Sequence, residues 1–204
     1  MISLLVSLFL LQSPILADAQ KMAELRDKIA VKIVEVDVEL PPLEGTDQSF
    51  GRTMQGQAAC VRDAKGTARM LTSKFLVEGA RKVRIRNKNH LKWVDAKVVS
   101  TNEKLAIAFL EPKEDKPFPC PESKLAPDSS VRAYTVVISI DNPATYPNLF
   151  WGQLVSTAEP PLSAFLLTAT GLPIGYPLYS LEGKLIAINL RRYTPTSEFL
   201  LAIS

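Results

Sequence analysis

From residue 34 the chain takes on a period of two, in which Val34, Val36, Val38 and Leu40 alternate with Glu35, Asp37 and Glu39. Successive side chains of a strand point to opposite faces, so this alternation predicts a strand with one buried face. Short strands are predicted again over 57–62, 69–72, 82–86, 94–99 and 106–110, separated by turn signals such as Ala64-Lys65-Gly66 and Asn87-Lys88-Asn89. A weakly helical stretch, 20–28, precedes them, and a polar loop holding Gly45, Gly51 and Gly56 follows the first strand. A second set of strands is expected at 132–140, 150–157, 165–169, 177–179, 184–190 and 199–203. Many short strands with few helices predict an all-β barrel or sandwich.

Between the two sets, Glu111 to Lys124 breaks the rhythm with Pro112, Pro117, Pro119, Pro121 and a cluster of opposite charges. Proline cannot donate to a ladder, so this composition predicts a surface linker over 113–124 that divides a subdomain at 20–112 from another at 125–204. The amino-terminal residues stand apart. Met1 to Gln12 is apolar except for Ser3, Ser7 and Gln12, and Ala17-Asp18-Ala19 supplies the small-x-small pattern of a cleavage site. Residues 1–19 are therefore expected to be a signal peptide, with export to the periplasm or the medium. The run lacks Lys or Arg at its start, so an uncleaved anchor is the rival reading. It is shorter than the ~20 residues of a membrane span, and no stable span is expected after cleavage.

Composition narrows the functional classes. The chain has 204 residues, 47% hydrophobic and 22% charged, which is ordinary for a globular protein. A formal charge of +3 is too small and too evenly spread to argue for a nucleic-acid partner, and none is expected. Two cysteines and one histidine without ligand spacing predict no metal site and no cofactor. Two readings stand open for the cysteines: a Cys60–Cys120 disulfide, which an exported chain can hold, or a buried free thiol at Cys60.

Several segments, taken in order, resemble the bacterial Deg-type members of the trypsin-like serine proteases. Leu71-Thr72-Ser73-Lys74-Phe75-Leu76-Val77-Glu78-Gly79-Ala80 is similar to that family's L-T-N-x-H-V-V-x-G-A segment. Asp95-Ala96-Lys97-Val98-Val99 is similar to D-A-K-V-V, and 101–111 aligns without a gap on S-D-x-x-T-D-L-A-V-L-K. In the second half, Ile140-Asp141-Asn142-Pro143 resembles I-G-N-P and Trp151-Gly152-Gln153-Leu154-Val155-Ser156 resembles T-S-G-x-V-S. Leu172-Pro173-Ile174-Gly175-Tyr176-Pro177-Leu178 falls on the nucleophile loop G-N-S-G-G-P-L, and 182–189 resembles D-G-x-V-I-G-I-N. Phe199 to Ser204 resembles the strand that closes the second barrel, and the chain is expected to carry no peptide-binding domain after it. Each match is weak alone, whereas their shared order and spacing are specific.

The resemblance implies two six-stranded antiparallel β-barrels of the chymotrypsin/trypsin type. It places Phe75 at the histidine position, Ala106 at the aspartate and Ile174 at the serine. Acyl transfer by this constellation needs a hydroxyl nucleophile, an imidazole base and a carboxylate that fixes the imidazole tautomer, and none of the three residues supplies one. Leu172 replaces the glycine whose backbone helps form the oxyanion hole, and Pro173 beside it further restricts the turn. The expectation is an exported protease homologue without catalytic activity that binds a peptide or protein partner or acts as a scaffold. The alternatives are a serine-type endopeptidase with unrecognised catalytic residues and a purely structural assembly component.

Four features each carry a plainer reading beside the functional one. Phe75 and Ile174 are expected to be packing residues rather than the lining of a ligand pocket. His90, on the polar turn Asn87-Lys88-Asn89, is expected to be a solvated surface residue rather than a displaced catalytic base. In the run from Arg81 to Lys92, cations alternate with Val83, Ile85 and Leu91, which reads as a solvated outer face before it reads as an anion site. Tyr146, Phe150 and Trp151 are candidate partner-binding aromatics, although the corresponding family loop also packs beside the substrate cleft.

Overall fold

The computed structural model describes residues 18–42, 52–63, 65–114, 117–127, 135–157, 164–167, 173–193 and 197–202. A helix α1 (18–30) leads into β1 (Ile33–Leu40), β2 (Arg52–Arg62), β3 (Ala68–Ser73), the one-turn helix α2 (Lys74–Val77), β4 (Lys82–Asn87), β5 (His90–Asn102) and β6 (Ile107–Pro112). Then come β7 (Val136–Asp141), β8 (Asn148–Thr157), β9 (Ala164–Leu167), β10 (Pro177–Tyr179), β11 (Leu185–Tyr193) and β12 (Ser197–Ala202). The first six strands close an antiparallel barrel in the order β1-β2-β3-β6-β5-β4. The other six form a second antiparallel sheet in the order β10-β11-β12-β9-β8-β7, whose end strands meet at one pair, Tyr179 with Ile138.

The alternation in β1 does what its period demands. Val34, Val36 and Val38 point into the barrel and join Ala58, Met70, Ile85 and Leu110 in its core. The opposite face meets the basic run, because the register sets Glu35 against Arg86, Asp37 against Arg84 and Glu39 against Lys82. Arg86 Nε donates to Glu35 Oε2 at 2.6 Å, and Arg84 pairs with Asp37. Lys82 reaches Asp95 on β5 at 3.2 Å, and Lys88 reaches Asp27 of α1 at 3.3 Å. Both arginines also lie over Trp93, with the Arg86 guanidinium 4.5 Å from the ring centroid. Much of the basic run is thus matched by carboxylates of its own chain, and Asp37 is only 5% exposed as a result.

A second apolar cluster joins the barrel to the other sheet. Ile33, Leu71 and Ile107 of the barrel pack with Ile138, Tyr179 and Ile188 of the second sheet. Helix α1 extends past the expected 20–28 and buries Ile29 and Ala30 completely in this cluster. The predicted strands occur with shifted ends: β2, β5 and β8 begin earlier than expected, and α2 was not signalled by the pattern. Ala106 was expected to open a strand, but it precedes β6 with φ +53°, in the left-handed region.

The proline-rich segment is held more firmly than a plain surface linker. Cys120 forms a disulfide with Cys60 of β2, which excludes the free-thiol alternative. Phe118 and Cys120 pack against the barrel core, and Ser123 N donates to Cys60 O at 2.7 Å. A cross-link spanning 60 residues removes loop-closure entropy from the unfolded chain, worth about 4 kcal/mol before any compensating loss. Replacing both cysteines by alanine is therefore expected to lower unfolding free energy by roughly 2–4 kcal/mol in denaturant titrations. An unchanged midpoint and slope would show that this strap contributes nothing to stability.

Candidate functional site

Strand pairing brings the first two family-aligned positions together. β3 and β6 pair with Ser73 opposite Ile107, so the residues just beyond them, on α2 and before β6, are neighbours. Lys74 N donates to Ala106 O at 2.8 Å, directly beside Phe75. Ser73 caps α2, accepting from Phe75 N at 3.2 Å, while its hydroxyl donates to Leu190 O of β11 at 2.5 Å. One serine thus starts the short helix and ties it to the second sheet.

Ile174 arrives from that second sheet. The turn 173–176 is pinned from behind by Asn189: Gly175 N donates to Asn189 O at 2.7 Å, Asn189 N to Tyr176 O at 2.9 Å, and Asn189 Nδ2 to Pro173 O at 2.9 Å. Its front presses on the barrel. A Cβ added to Gly56 of β2 would stand 2.3 Å from Ile174 O and 2.6 Å from Leu76 Cδ2. A Cβ on Gly175, where φ is +85°, would stand 2.3 Å from Gln57 O and 2.5 Å from Thr72 Oγ1. Ile174 itself packs on the barrel core. A backbone bond thus joins Lys74, beside Phe75, to Ala106, and the Ile174 carbonyl and the Leu76 side chain both crowd Gly56, along the seam between barrel and sheet. Leu172 lies outside the described residues.

The side chains so assembled are half-buried hydrocarbon. Nearby hydroxyls are committed elsewhere: Thr72 donates to Gln57 O at 2.7 Å and Ser73 to Leu190 O. His90 opens β5, pairs with Asn87 across the hairpin and rests on Phe118 at 5.6 Å between ring centroids, so it is half-covered rather than fully solvated. Tyr146, Phe150 and Trp151 are exposed, at 81%, 46% and 69%. Phe150 and Trp151 are consecutive residues of β8. Their side chains therefore leave opposite faces of the strand and do not form one continuous patch. Among the described residues no group of three or more His, Cys, Asp or Glu is placed to hold a metal, and no described helix is long and apolar enough to cross a membrane.

Behind the Gly56 contact lies a polar cavity of about 200 Å³, lined among others by Glu35, Gln57, Arg86, Trp93, Asp141 and Tyr176. Of these six, sequence reasoning singles out only Arg86, within the basic run whose second reading is an anion site. The available signal was Tyr176, which stands where the resembling loop has its last glycine and so adds a large side chain to a crowded turn. It is 7% exposed, and its hydroxyl donates to Asp141 Oδ1 at 2.5 Å. Burial first, and the bond to Asp141 second, push this phenol far above its usual range. Gln57 is 1% exposed and donates through Nε2 to Ile140 O at 2.8 Å. Its Oε1 has no hydrogen-bond partner among the described residues, a deficit that costs roughly 1–3 kcal/mol for a buried amide.

No family model and no curated protein matches the chain. Among solved structures it is similar to the HtrA-type protease AlgW with decapeptide, at a TM-score of 0.65 and 17% sequence identity, covering 88% of this chain and 63% of that one. At that identity the likeness shows the fold, which is the trypsin-like protease fold. The chain spans less than two thirds of the AlgW chain's length.

The seam yields a stability test with an internal control. Gly56→Ala forces a methyl against the Ile174 carbonyl and is expected to cost ~2–3 kcal/mol, as overpacking does. Gly66→Ala, at φ +77° with open space around the added carbon, is expected to cost only ~1 kcal/mol. Equal losses in thermal or denaturant melts would mean that the turn is not pressed on β2.

Proposed function

We propose that this protein is an exported protease homologue that does not cleave peptides and instead binds an extended peptide or protein segment. The observation that carries the reading is the chemistry along the seam: at the three positions the resemblance assigns to base, orienter and nucleophile stand Phe75, Ala106 and Ile174. A benzyl, a methyl and a sec-butyl group supply no proton acceptor, carboxylate or attacking oxygen. The AlgW structure holds a decapeptide, which supports a peptide as the class of partner. Edge-strand addition is the mode we favour, with backbone bonds giving affinity and exposed Tyr146, Phe150 or Trp151 adding aromatic contact area.

In this reading the second sheet is the second six-stranded barrel, and 20–112 and 125–204 are the two subdomains joined by 113–124. Export is supported by the apolar run at 1–12 and by the Cys60–Cys120 disulfide, a bond that persists in oxidising compartments. Cleavage after Ala19 removes only Asp18 and Ala19 from α1 as described, leaving its buried residues Ile29 and Ala30 in place.

The purified protein is expected to hydrolyse neither casein nor peptide esters and to take up no fluorophosphonate label. Stoichiometric labelling of any serine overturns the reading. The triple variant Phe75→His, Ala106→Asp, Ile174→Ser is expected to gain little activity, because Leu172 and Pro173 still occupy the oxyanion turn. One missing donor there costs ~10²–10³ in rate. Adding Leu172→Gly and Pro173→Asn should raise ester hydrolysis well above the triple variant, and strong activity from the triple variant alone would refute the argument about the turn. Amino-terminal sequencing of protein from the periplasm or medium should begin at Gln20; full-length protein confined to the cytosol would rule out export.

A further inference from the structure

We infer that the cavity between β1, β2 and the end of β7 is a binding site for a primary ammonium group carried on a short alkyl stem. The inference does not depend on how the family-aligned positions behave or on whether an extended peptide binds elsewhere.

The charges around the cavity do not balance. Glu35 is matched by Arg86, whose Nε donates to Glu35 Oε2 at 2.6 Å, and Glu35 Oε1 also accepts from Ala144 N at 3.2 Å. Asp141 is different. Its Oδ1 accepts from the Tyr176 hydroxyl and its Oδ2 from Asn142 Nδ2 at 2.8 Å, both neutral donors. No Lys, Arg or His forms an ion pair with it among the described residues. One negative charge of the cavity is thus uncompensated, in a wall where most carboxylates of the neighbouring strands have been given a cation.

The hydrogen-bonding inventory points the same way. Gln57 is oriented by its bond to the Ile140 carbonyl, which only the amide nitrogen can make, so the atom left over is the oxygen. That oxygen is buried, lacks a partner among the described residues, and belongs to a residue of the cavity wall. A vacant buried acceptor beside an uncompensated carboxylate calls for a ligand that both donates hydrogen bonds and carries positive charge. A primary ammonium does both, with three donors on one compact cation. The remaining wall suits a hydrocarbon stem, since Pro173 and the Trp93 ring line it. A bare divalent ion fits less well, because calcium takes six to eight oxygen ligands and the cavity offers one unmatched carboxylate and one vacant amide oxygen. The volume of about 200 Å³ equals several water molecules at about 30 Å³ each, enough for an ammonium with a few methylenes.

The test uses the full mature protein with Trp151→Phe, which leaves Trp93 in the cavity wall as the sole tryptophan. Its fluorescence and the melting temperature are followed during titration with n-butylammonium chloride. Tetramethylammonium chloride and sodium chloride at equal ionic strength serve as controls. Butylammonium should give a saturable change with a dissociation constant on the order of 1 mM and raise the melting temperature. Tetramethylammonium, which has charge but no N–H, should do neither. Asp141→Asn and Gln57→Met should each weaken binding tenfold or more, the first by removing the charge and the second by removing the acceptor at similar volume. If one variant fails to fold, the other decides. The inference is overturned by a response to butylammonium no larger than that to either control salt, or by unchanged affinity in a folded variant.

Discussion

The contact between the 173–176 turn and strand β2 governs how the two halves of the molecule sit against one another. Backbone presses on backbone there: Ile174 O fills the space a side chain at Gly56 would need, and Gln57 O fills the space a side chain at Gly175 would need. Approach this close is open only to glycine, and Gly175 also has a φ of +85° that other residues reach at a cost. Because the turn is held from the other side by Asn189 on β11, any shift of the second sheet relative to the barrel must break either these bonds or the packing at Gly56. The apolar cluster from Ile33 and Leu71 to Ile138 and Ile188 then fills the remaining gap.

An active site in such a seam normally carries a stability cost, since polar groups are held there partly desolvated and aimed at a substrate. Phe75 and Ile174 carry no polar group to desolvate. Ile174, half-buried, packs against the barrel core, so its side chain contributes apolar contact rather than a desolvated polar group. One unusual conformation stands beside it: Ala106 has a φ of +53°, although alanine gains nothing from the left-handed region. Its carbonyl accepts from Lys74 N, so the turn is held by the start of α2.

Charge is treated differently on the two sides of the cavity behind the turn. Toward the barrel, acids of β1 are matched by cations of β4 at the positions antiparallel pairing makes adjacent, and the arginines are further covered by Trp93. Toward the second sheet, Asp141 is held by neutral donors only. A carboxylate bonded to a tyrosine hydroxyl and an asparagine amide is well oriented but faces no counter-ion there among the described residues. The cavity therefore combines an organised wall with a net field, a combination that interior packing alone does not call for.

Which of these features the sequence disclosed follows from the range of the interactions involved. Period-two alternation in 34–40 and the turn residues between short apolar runs are local properties, so most strands and the all-β class were legible with ends off by a few residues. The ordered segments from Leu71 to Leu178 also pointed to the protease fold, because a fold preserves the spacing between its own turns. The basic run at 81–92 read as a solvated face because the carboxylates of Arg84 and Arg86 lie 47 and 51 residues away on β1, and only strand register makes them adjacent. The Cys60–Cys120 bond, the strapped linker and the depth to which α1 is buried were likewise undecidable from one chain, since each depends on distances across the fold. Tyr176, Gln57 and Asp141 gave no local sign of sharing a cavity. They come from a turn and two strands of different sheets, and the unmatched charge and unfilled acceptor that make them a candidate site are defined only by which groups the fold brings together.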